Sequence, residues 1–553
     1  MRIQFIFYIF IGIFFCLIPN NLSAQKTKKG KYTRQDSLRG TLNKDRSCYD
    51  VLYYDLEIKV EPEKKYISGK NKITYKVVND FSRLQIDLFA NLNIESITQN
   101  NKPLKFVREG NATFVDFPNV QKKDNKESIE IKYEGTPRLA VNPPWDGGFS
   151  WRKDKKGKDW VGLSCEGLGA SVWFPNKDHL SDEPDSMRVV AEVPTGLMCV
   201  ANGNLKQRKE TKNGFTSFDW RISYPINNYN VTLNIADYTQ FSDVYTSADG
   251  QKLDLDYYVL PENLEKAKKH FQQVKPMLAC YENLFGKYPF WKDGYALVET
   301  PYLGMEHQGA IAYGNRYMNG YLGSDLTNSG EGNKFDYIII HETGHEYWGN
   351  SVSCQDHAEM WIHESFCTYA EGLYVECMRG KEAGYVYQGG YFNNPSNQSP
   401  IIGDLGVNGE GSGDMYPKGA AFLHTLRNVV NDDILWFKTI KDLAENFKYK
   451  TTNTEEIVKF MNTSLKKDYT PLFNQYLRFA KIPVLQYRKK GRFLECRWKV
   501  DVKNFEMPIK IKNIKNEFEW IVPNQDWKKM SIRIENDIEV LPLSFYVNVE
   551  KID

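Results

Sequence analysis

The chain has 553 residues, which is too long for one hydrophobic core and predicts two to four domains. Hydrophobic residues make up 41% of the sequence and aromatic residues 14%, which is enough apolar material for packed domains and argues against wholesale disorder. With 72 basic and 70 acidic residues, the formal net charge of +2 gives no overall field for nucleic acid or an anionic membrane.

The N-terminal segment has the pattern of a secretory signal. Arg2 precedes an apolar run that ends near Pro19, and a polar stretch with small residues leads to a predicted cleavage site after Ala24. An uncleaved anchor is the alternative, but the apolar run is short for a membrane span. A lipid-anchored Cys16 is disfavoured because Phe15 occupies a position where such sites carry a small residue. We expect export to the periplasm or the medium, without stable membrane insertion after signal removal.

The remaining chain divides into four segments by composition and periodicity. Residues 25–47 are basic and polar and predict a leader ahead of the fold. Residues 48–240 alternate apolar and polar positions, which predicts an N-terminal antiparallel β-rich domain. Residues 241–482 have mainly helical spacing, and residues 483–553 return to short alternating strands that predict a small β-sandwich. The expected fold class is multidomain α+β.

Cysteine spacing gives little information about structure. Of the nine cysteines, Cys16 lies in the signal, and the other eight are scattered without a CxxC pair. This pattern indicates neither a dense disulfide framework nor a thiolate zinc site. Export permits disulfides, but the sequence does not identify the pairs.

The stretch HETGHEYWGN carries the clearest chemical signal. His341 and His345 are four residues apart, so on a helix both imidazoles lie on one face and can bind one metal ion. Glu342 adjoins the first histidine and is expected to act on a metal-bound water as a catalytic base, as in HExxH metalloproteases. The alternative is a chance pairing, which a chain with only eight histidines produces at roughly the percent level or below.

A third ligand is expected further along the chain, because catalytic zinc normally takes three protein ligands. The segment AEMWIHESFCTYAEGLYVECM has helical spacing and contains Glu364, with eighteen residues between it and His345. A turn and a returning helix would bring this carboxylate to the histidines. The sequence therefore predicts one Zn²⁺ held by His341, His345 and Glu364, although a solvated helix glutamate is the ordinary alternative for any single Glu.

These motifs together resemble the gluzincin aminopeptidases, the membrane alanyl aminopeptidase and leukotriene hydrolase family. HETGHEYWGN is similar to the family pattern HExxHxWxGN, WIHESFCTYAE to WLNEGFAxYxE, PYLGMEHQGAIAYG to the GxMEN segment, and DMYPKGAAFLHTLR to the YxKG segment. The resemblance covers nearly all of the chain after about Tyr49. It implies a thermolysin-like catalytic domain over residues 241–482, between the two β domains.

The resemblance also implies roles for individual residues. Glu306 matches the glutamate that binds the substrate's α-ammonium, and Glu166 lies where the family has a Gln or a second Glu for the same task. The backbone of Gly304 and Met305 would run beside the substrate like an edge strand, and Tyr416 would donate a hydrogen bond to the oxyanion. The expected function is zinc-dependent hydrolysis of the N-terminal peptide bond of exported or extracellular peptides.

The sequence leaves alternatives open. A zinc endopeptidase and a catalytically silent peptide-binding protein use the same scaffold, and epoxide hydrolysis occurs in part of the family. The chain departs from the family pattern at Tyr347, which stands at the family's Trp position with Trp348 one place later. It departs also at Leu303, His307, His363 and Ser365, so selectivity for the first side chain is not inferred. His307, His357 and His363 also suggest a second metal as an alternative to supporting or surface roles.

The family's large C-terminal helical domain has no counterpart before Asp553, so we expect an open site that tolerates longer peptides.

Overall fold

The computed structural model describes residues 32–490 and 493–552. The predicted signal and the first part of the predicted leader lie outside these ranges. Within them, we find no helix that is both long enough and apolar enough to cross a membrane.

The second half of the predicted leader is folded. It forms helices α1 (Arg34–Gly40) and α2 (Lys44–Ser47). Thr33 and Asp36 form a capping box on α1, and the side chain of Asn43 caps α2. Arg46 is fully buried and pairs with Asp87 at 2.5 Å. The polar composition therefore serves helix caps and a buried ion pair, so residues 32–47 belong to the fold and not to a leader.

The N-terminal domain is built from β-strands, as the sequence predicts. The strands are β1 (Tyr49–Glu61), β2 (Tyr66–Val77), β3 (Phe81–Asp87), β4 (Leu92–Gln99), β5 (Lys102–Pro103), β6 (Lys105–Glu109), β7 (Ala112–Gln121), β8 (Lys126–Gly135), β9 (Gly148–Lys153), β10 (Asp159–Ser164), β11 (Ser186–Pro194), β12 (Met198–Ala201), β13 (Asn204–Glu210), β14 (Phe215–Ile222) and β15 (Leu233–Ala236). In β1, alternation buries Leu56, Ile58 and Val60 on one face.

These strands form an eight-stranded sheet, a four-stranded sheet and a three-stranded sheet. Their orders are β13-β14-β11-β1-β2-β8-β4-β5, β12-β15-β10-β9 and β3-β7-β6. The expectation of purely antiparallel pairing needs one correction, because β1 pairs with β11 in parallel. Alternating side chains do not report strand direction, and about 120 residues separate these two strands, so only the tertiary fold decides it.

The middle of the chain carries most of the helices. Its elements are β16 (Thr239–Thr246), β17 (Lys252–Val259), α3 (Leu264–His270), α4 (Val274–Phe285), β18 (Tyr295–Glu299), β19 (Gly304–Met305), β20 (Ile311–Tyr313), α5 (Tyr337–Gly344), β21 (Val352–Cys354), α6 (Trp361–Arg379), α7 (Lys381–Gly390), α8 (Pro417–Val430), α9 (Asp433–Asn446), β22 (Lys450–Thr452), α10 (Thr454–Leu465) and α11 (Thr470–Arg478). A five-stranded sheet of order β16-β17-β18-β20-β19 supports the helices, and β19 is its edge strand.

Helix α5 ends within the HETGHEYWGN stretch. The side chain of Asp336 accepts hydrogen bonds from the backbone of Ile338 and Ile339, which fixes the start of the helix. The helix ends at Gly344, and His345 is its C-cap residue with right-handed helical backbone angles. The two histidines therefore keep their helical spacing even though the regular helix ends between them.

The C-terminal segment forms small sheets. Its strands are β23 (Val484–Lys490), β24 (Phe493–Lys499), β25 (Ile509–Lys512), β26 (Phe518–Ile521), β27 (Lys528–Met530) and β28 (Asn548–Lys551). They pair as a four-stranded sheet, β27-β24-β23-β28, and a two-stranded sheet, β25-β26. The return to β-structure near residue 483 follows the predicted pattern.

One disulfide links two helices of the middle region. Cys280 of α4 is bonded to Cys377 of α6 across 97 residues of sequence. The six other cysteines of the described residues are free and buried. The pair could not be assigned from the sequence, because it depends on how α4 and α6 pack.

Candidate metal centre and active site

Three predicted ligands converge on one point. The Nε2 atoms of His341 and His345 are 3.3 Å apart, and each lies 3.5 Å from Oε2 of Glu364. All three side chains are buried. Helix α5 and its C-cap supply the histidines, and the first turn of α6 returns to supply the glutamate.

The outer nitrogens of both imidazoles are held by acceptors. His341 Nδ1 is 2.7 Å from Oε1 of Glu371, and His345 Nδ1 is 3.0 Å from the carbonyl oxygen of Trp348. Because a carboxylate and a carbonyl can only accept, both Nδ1 atoms carry the proton and both Nε2 atoms present lone pairs. Tyr387 and Tyr391 each donate to the other oxygen of Glu371 at 2.6 Å, which fixes that carboxylate.

This donor set fits a zinc ion. Two imidazole lone pairs and a carboxylate oxygen with no hydrogen-bond partner face one another in a buried pocket, an arrangement that is repulsive without a cation. Zinc bonds of 2.0–2.2 Å in tetrahedral geometry place ligand atoms about 3.3–3.5 Å apart, and the observed separations match. His341, His345 and Glu364 are therefore the residues that would hold the ion.

Glu342 lies against the edge strand β19. A Cβ atom on Gly304 would come within 2.8 Å of Oε1 of Glu342 and 2.9 Å of a side-chain carbon of Ile338, so a side chain cannot be accommodated there. Glycine thus lets the strand approach the predicted base. Atoms of Glu342, Glu306 and His345 also lie within 4.8 Å of one another, which places the base beside the metal ligands.

The two carboxylates predicted to bind an ammonium group lie together. Oxygen atoms of Glu166, Glu306 and Glu364 fall within 4.8 Å of one another. Glu166 follows strand β10, and Glu306 directly follows β19, so two different sheets supply the pair. In a peptide the α-ammonium group lies next to the first peptide bond. Carboxylates that bind this ammonium group must therefore lie close to the metal, as Glu166 and Glu306 lie close to Glu364.

A hydrogen-bonded chain fixes Glu306. Tyr229 donates to Oε1 of Glu306 at 3.0 Å, and Asn350 donates to the Glu306 carbonyl at 2.8 Å. His363 supports Tyr229: its Nε2 accepts from the backbone of Cys354 at 2.8 Å, and its Nδ1 lies 3.3 Å from the tyrosine oxygen. Both ring nitrogens of His363 are engaged, so the alternative of a second metal at this residue is wrong.

Tyr416 reaches the same cavity from the start of α8. Its ring stacks near that of His341, with centroids 6.1 Å apart. Lys418 donates to the carbonyls of Phe479 and Ala480, each at 2.8 Å, and so anchors the first turn. A Cβ atom on Gly419 would lie 1.9 Å from Oγ of Ser365, so glycine lets α8 pack closely on α6. The YPKG motif thus places the tyrosine.

Burial and charge shift the pKa of these groups. Burial raises the pKa of Glu342 to about 7, although the two histidines act in the opposite direction. Burial, together with the charges of Glu306 and Glu364, raises the pKa of Glu166 well above its usual value. Burial disfavours the charged form of Glu364, but the histidines outweigh it and lower its pKa. A site with this excess of carboxylates favours cationic ligands.

Three residues that surround the candidate active site were not identified from the sequence. Glu371 lies two turns after Glu364 on α6, and this spacing within the quoted WIHESFCTYAE segment could have indicated it. Tyr229 carries no local signal. Glu410 lies on the loop before Tyr416, where desolvation and the charges of Glu364 and Glu306 raise its pKa.

Comparison with known families agrees with this geometry. Residues 51–229 match the Peptidase M1 N-terminal domain, and residues 269–399 match the Peptidase family M1 domain. The chain is 22% identical to Aminopeptidase B of Rattus norvegicus over 75% of its length and 66% of that protein's, and 21% identical to Aminopeptidase N of Escherichia coli K12 over 58% and 36%. It thus spans less than two thirds of these relatives.

Solved structures share the fold. The M1 zinc metallopeptidase from Deinococcus radiodurans superposes with a TM-score of 0.65 at 20% identity, covering 79% of this chain and 94% of that one. The structure of a mutant of that protein with a bound Tyr-Ser-Ala substrate superposes with the same TM-score, and the match covers 79% of this chain and 96% of the mutant chain.

The β–helical–β order and the His-His-Glu donor set beside a glutamate define a metallopeptidase scaffold. The chain belongs to the M1 peptidase family. The family predicted from the sequence is therefore confirmed.

Proposed function

We propose that this protein is a zinc aminopeptidase that removes the N-terminal residue from exported or extracellular peptides. The observation that carries the proposal is the meeting of a metal donor set, an adjacent buried carboxylate and a second carboxylate pair in one cluster of side chains. A metal site alone suits many hydrolases. The pair formed by Glu166 and Glu306 adds a binding place for a free ammonium group, and this favours an exopeptidase over an endopeptidase.

The residues divide the reaction among them. Zinc, when bound, lowers the pKa of its water towards neutrality and polarises the scissile carbonyl. Glu342 accepts a proton from the attacking water and transfers it to the leaving amine. Tyr416 donates its hydroxyl hydrogen to the oxygen that gains negative charge. Glu306 and Glu166 bind the peptide's N-terminus, so the first peptide bond is the one presented.

Two features support export. The N-terminal segment has a signal pattern, and the Cys280–Cys377 disulfide is typical of proteins from oxidising compartments. We therefore include location in the periplasm or the medium in the proposed function.

The test is cleavage of a panel of aminoacyl-fluorophore substrates by the purified protein. We expect release of the fluorophore from free aminoacyl substrates, loss of activity with a chelator and recovery with zinc. An acetylated N-terminus is the matched control, because it removes the positive charge. Equal cleavage of acetylated peptides would indicate an endopeptidase, and zinc binding without cleavage of any substrate would indicate a silent peptide-binding protein.

A further inference from the structure

Residues 32–41, here called the N-terminal strap, lie between the β-rich domain and two loops of the active site. The first loop, residues 165–169, carries Glu166. The second, residues 403–411, carries Glu410 and leads to Tyr416. We call these two segments the entrance loops. The strap contacts both of them, although it is far from them in sequence.

One side of the strap is fixed to the β-rich domain. Gln85 of β3 donates to the carbonyl of Leu38 at 2.9 Å. Arg34 forms a two-point ion pair with Glu109 of β6. These contacts give the strap a rigid support, because both partners lie in strands.

The other side of the strap holds the second entrance loop. Thr41 donates through Oγ1 to the carbonyl of Gly406 at 2.9 Å, and the hydroxyl of Tyr32 donates to Asp404. A Cβ atom on Gly40 would lie 2.1 Å from the backbone nitrogen of Asn408 and 2.4 Å from the backbone of Val407. The two backbones are therefore in direct contact, which no side chain at position 40 would allow.

The strap also reaches the first entrance loop, and the two loops meet there. Arg39 donates through Nη2 to the carbonyl of Gly167 at 3.4 Å, and its guanidinium lies over the ring of Phe89. A Cβ atom on Gly167 would lie 3.5 Å from Oε1 of Glu410. The residue after Glu166 is thus enclosed between Arg39 on one side and Glu410 on the other.

We propose that the strap is a positioning element for substrate binding, which holds Glu166 and the Glu410 loop at the end of the cavity that receives the peptide's N-terminus. The inference rests on the proposed function and extends it to a segment whose composition resembles a leader. Its consequence is that cleavage within the strap, or displacement of it, weakens capture of free N-termini while the metal ligands, which it does not touch, keep their geometry.

The experiment compares a strap variant with a matched control. The variant combines Tyr32→Phe, Arg39→Gln and Thr41→Val, which remove the side-chain hydrogen bonds to the entrance loops and largely conserve side-chain size. The control is Lys268→Gln, which breaks an exposed ion pair with Glu265 inside α3 and leaves every described contact of the strap in place. We expect the strap variant to lose about tenfold to a hundredfold in kcat/KM, mainly through KM, with unchanged zinc content. The control should match the parent protein.

Two further measurements separate this inference from the proposed function. Amide hydrogen exchange should accelerate in residues 165–169 and 403–411 of the strap variant and not in helices α5 and α6, which carry the candidate metal ligands. Tripeptide binding is measured with Glu342→Gln added to both proteins, so that the peptide is not cleaved. In this background the strap substitutions should weaken binding of a free-amine tripeptide and leave binding of an acetylated tripeptide unchanged.

Unchanged exchange, or equal binding of the free-amine tripeptide with and without the strap contacts, would overturn the inference whether or not the protein cleaves peptides. A lower thermal midpoint with unchanged KM and unchanged tripeptide binding would do the same, because the strap would then be structural only. Thr41→Val alone provides the test if the triple variant does not fold.

Discussion

Glu342 is a buried carboxylate on which two effects oppose one another. Burial raises its pKa to about 7, and the charges of His341 and His345 favour its ionised form. Such a group can both accept and return a proton near neutral pH. The position of Glu342 between the two histidines could be read from the sequence. Its contact with β19 is a tertiary contact that the sequence did not predict.

Replacing Glu342 with glutamine tests its role as the base. Glu342→Gln keeps the shape of the side chain and leaves the three metal ligands intact, so zinc content should not change. We expect kcat to fall by about 10²–10⁴ because the amide cannot accept the proton. Turnover numbers and metal analysis measure the two effects, and Glu455→Gln at the exposed start of α10 is the control. Full activity in Glu342→Gln would assign the base elsewhere.

Tyr416 provides a second prediction at the residue scale. Tyr416→Phe removes the hydroxyl and retains the ring that stacks near His341. Loss of one oxyanion donor should lower kcat by about 10²–10³, with little change in KM, since the hydroxyl acts on charge that develops during reaction. Steady-state kinetics measure this, with Tyr385→Phe as a control at a site where the hydroxyl donates to Asn428 and to no group of the candidate active site. A change in KM alone would contradict the role.

At the scale of elements, α6 organises the site. It carries the candidate ligand Glu364 and, two turns later, Glu371, which accepts a hydrogen bond from His341. Its periodicity was sufficient to predict a helix with a ligand on it. Its disulfide to α4 was not predictable, because the sequence does not state which helices are neighbours.

Removing that disulfide should destabilise the fold more than the site. Cys280 and Cys377 close 97 residues of chain, and a loop of this length gives a stabilisation of about 2–5 kcal/mol through the unfolded state. We expect Cys280→Ser combined with Cys377→Ser to lower the free energy of unfolding by this amount, with kcat/KM nearly unchanged below the unfolding range. Denaturant titrations with and without reductant measure it. An equal response of parent and variant to reductant would show that the bond does not form in solution.

At the scale of the whole molecule, buried neutral histidines couple stability to pH. Burial lowers the pKa of His307, His357 and His424 to about 3. In the unfolded chain each has a pKa of about 6.5. Between these values the three sites bind more protons in the unfolded state than in the folded state, so the stability that these histidines contribute is full above about pH 6.5 and declines as the pH falls towards 3.

The expected slope follows from proton counting. Each histidine contributes up to about 1.4 kcal/mol per pH unit, so the three together contribute up to about 4 kcal/mol per unit near pH 5. The free energy of unfolding measured from pH 7 to pH 5 tests this. His424→Gln should reduce the slope by about a third of that amount. An unchanged slope in His424→Gln would contradict the assignment.

The order of domains and most of the donor set could be predicted from the sequence. Period-two and helical spacing are local signals, and the three ligands with Glu342 lie in two short motifs whose spacing is set by helix geometry. The same reasoning failed for residues 32–47, because capping residues and a buried Arg46 resemble a solvated leader in composition.

The sequence by itself determined the candidate metal ligands, the carboxylate beside them and the β–helical–β order, because each of these depends on residues close together in the chain. The tertiary structure alone decided the parallel pairing of β1 with β11, the disulfide partners, the Tyr229–His363 support of Glu306 and the contacts of residues 32–41. These depend on groups separated by 45 residues or more, most of them by far more. Which distant segments meet is fixed only when burial of apolar surface and hydrogen bonding are satisfied across the whole fold.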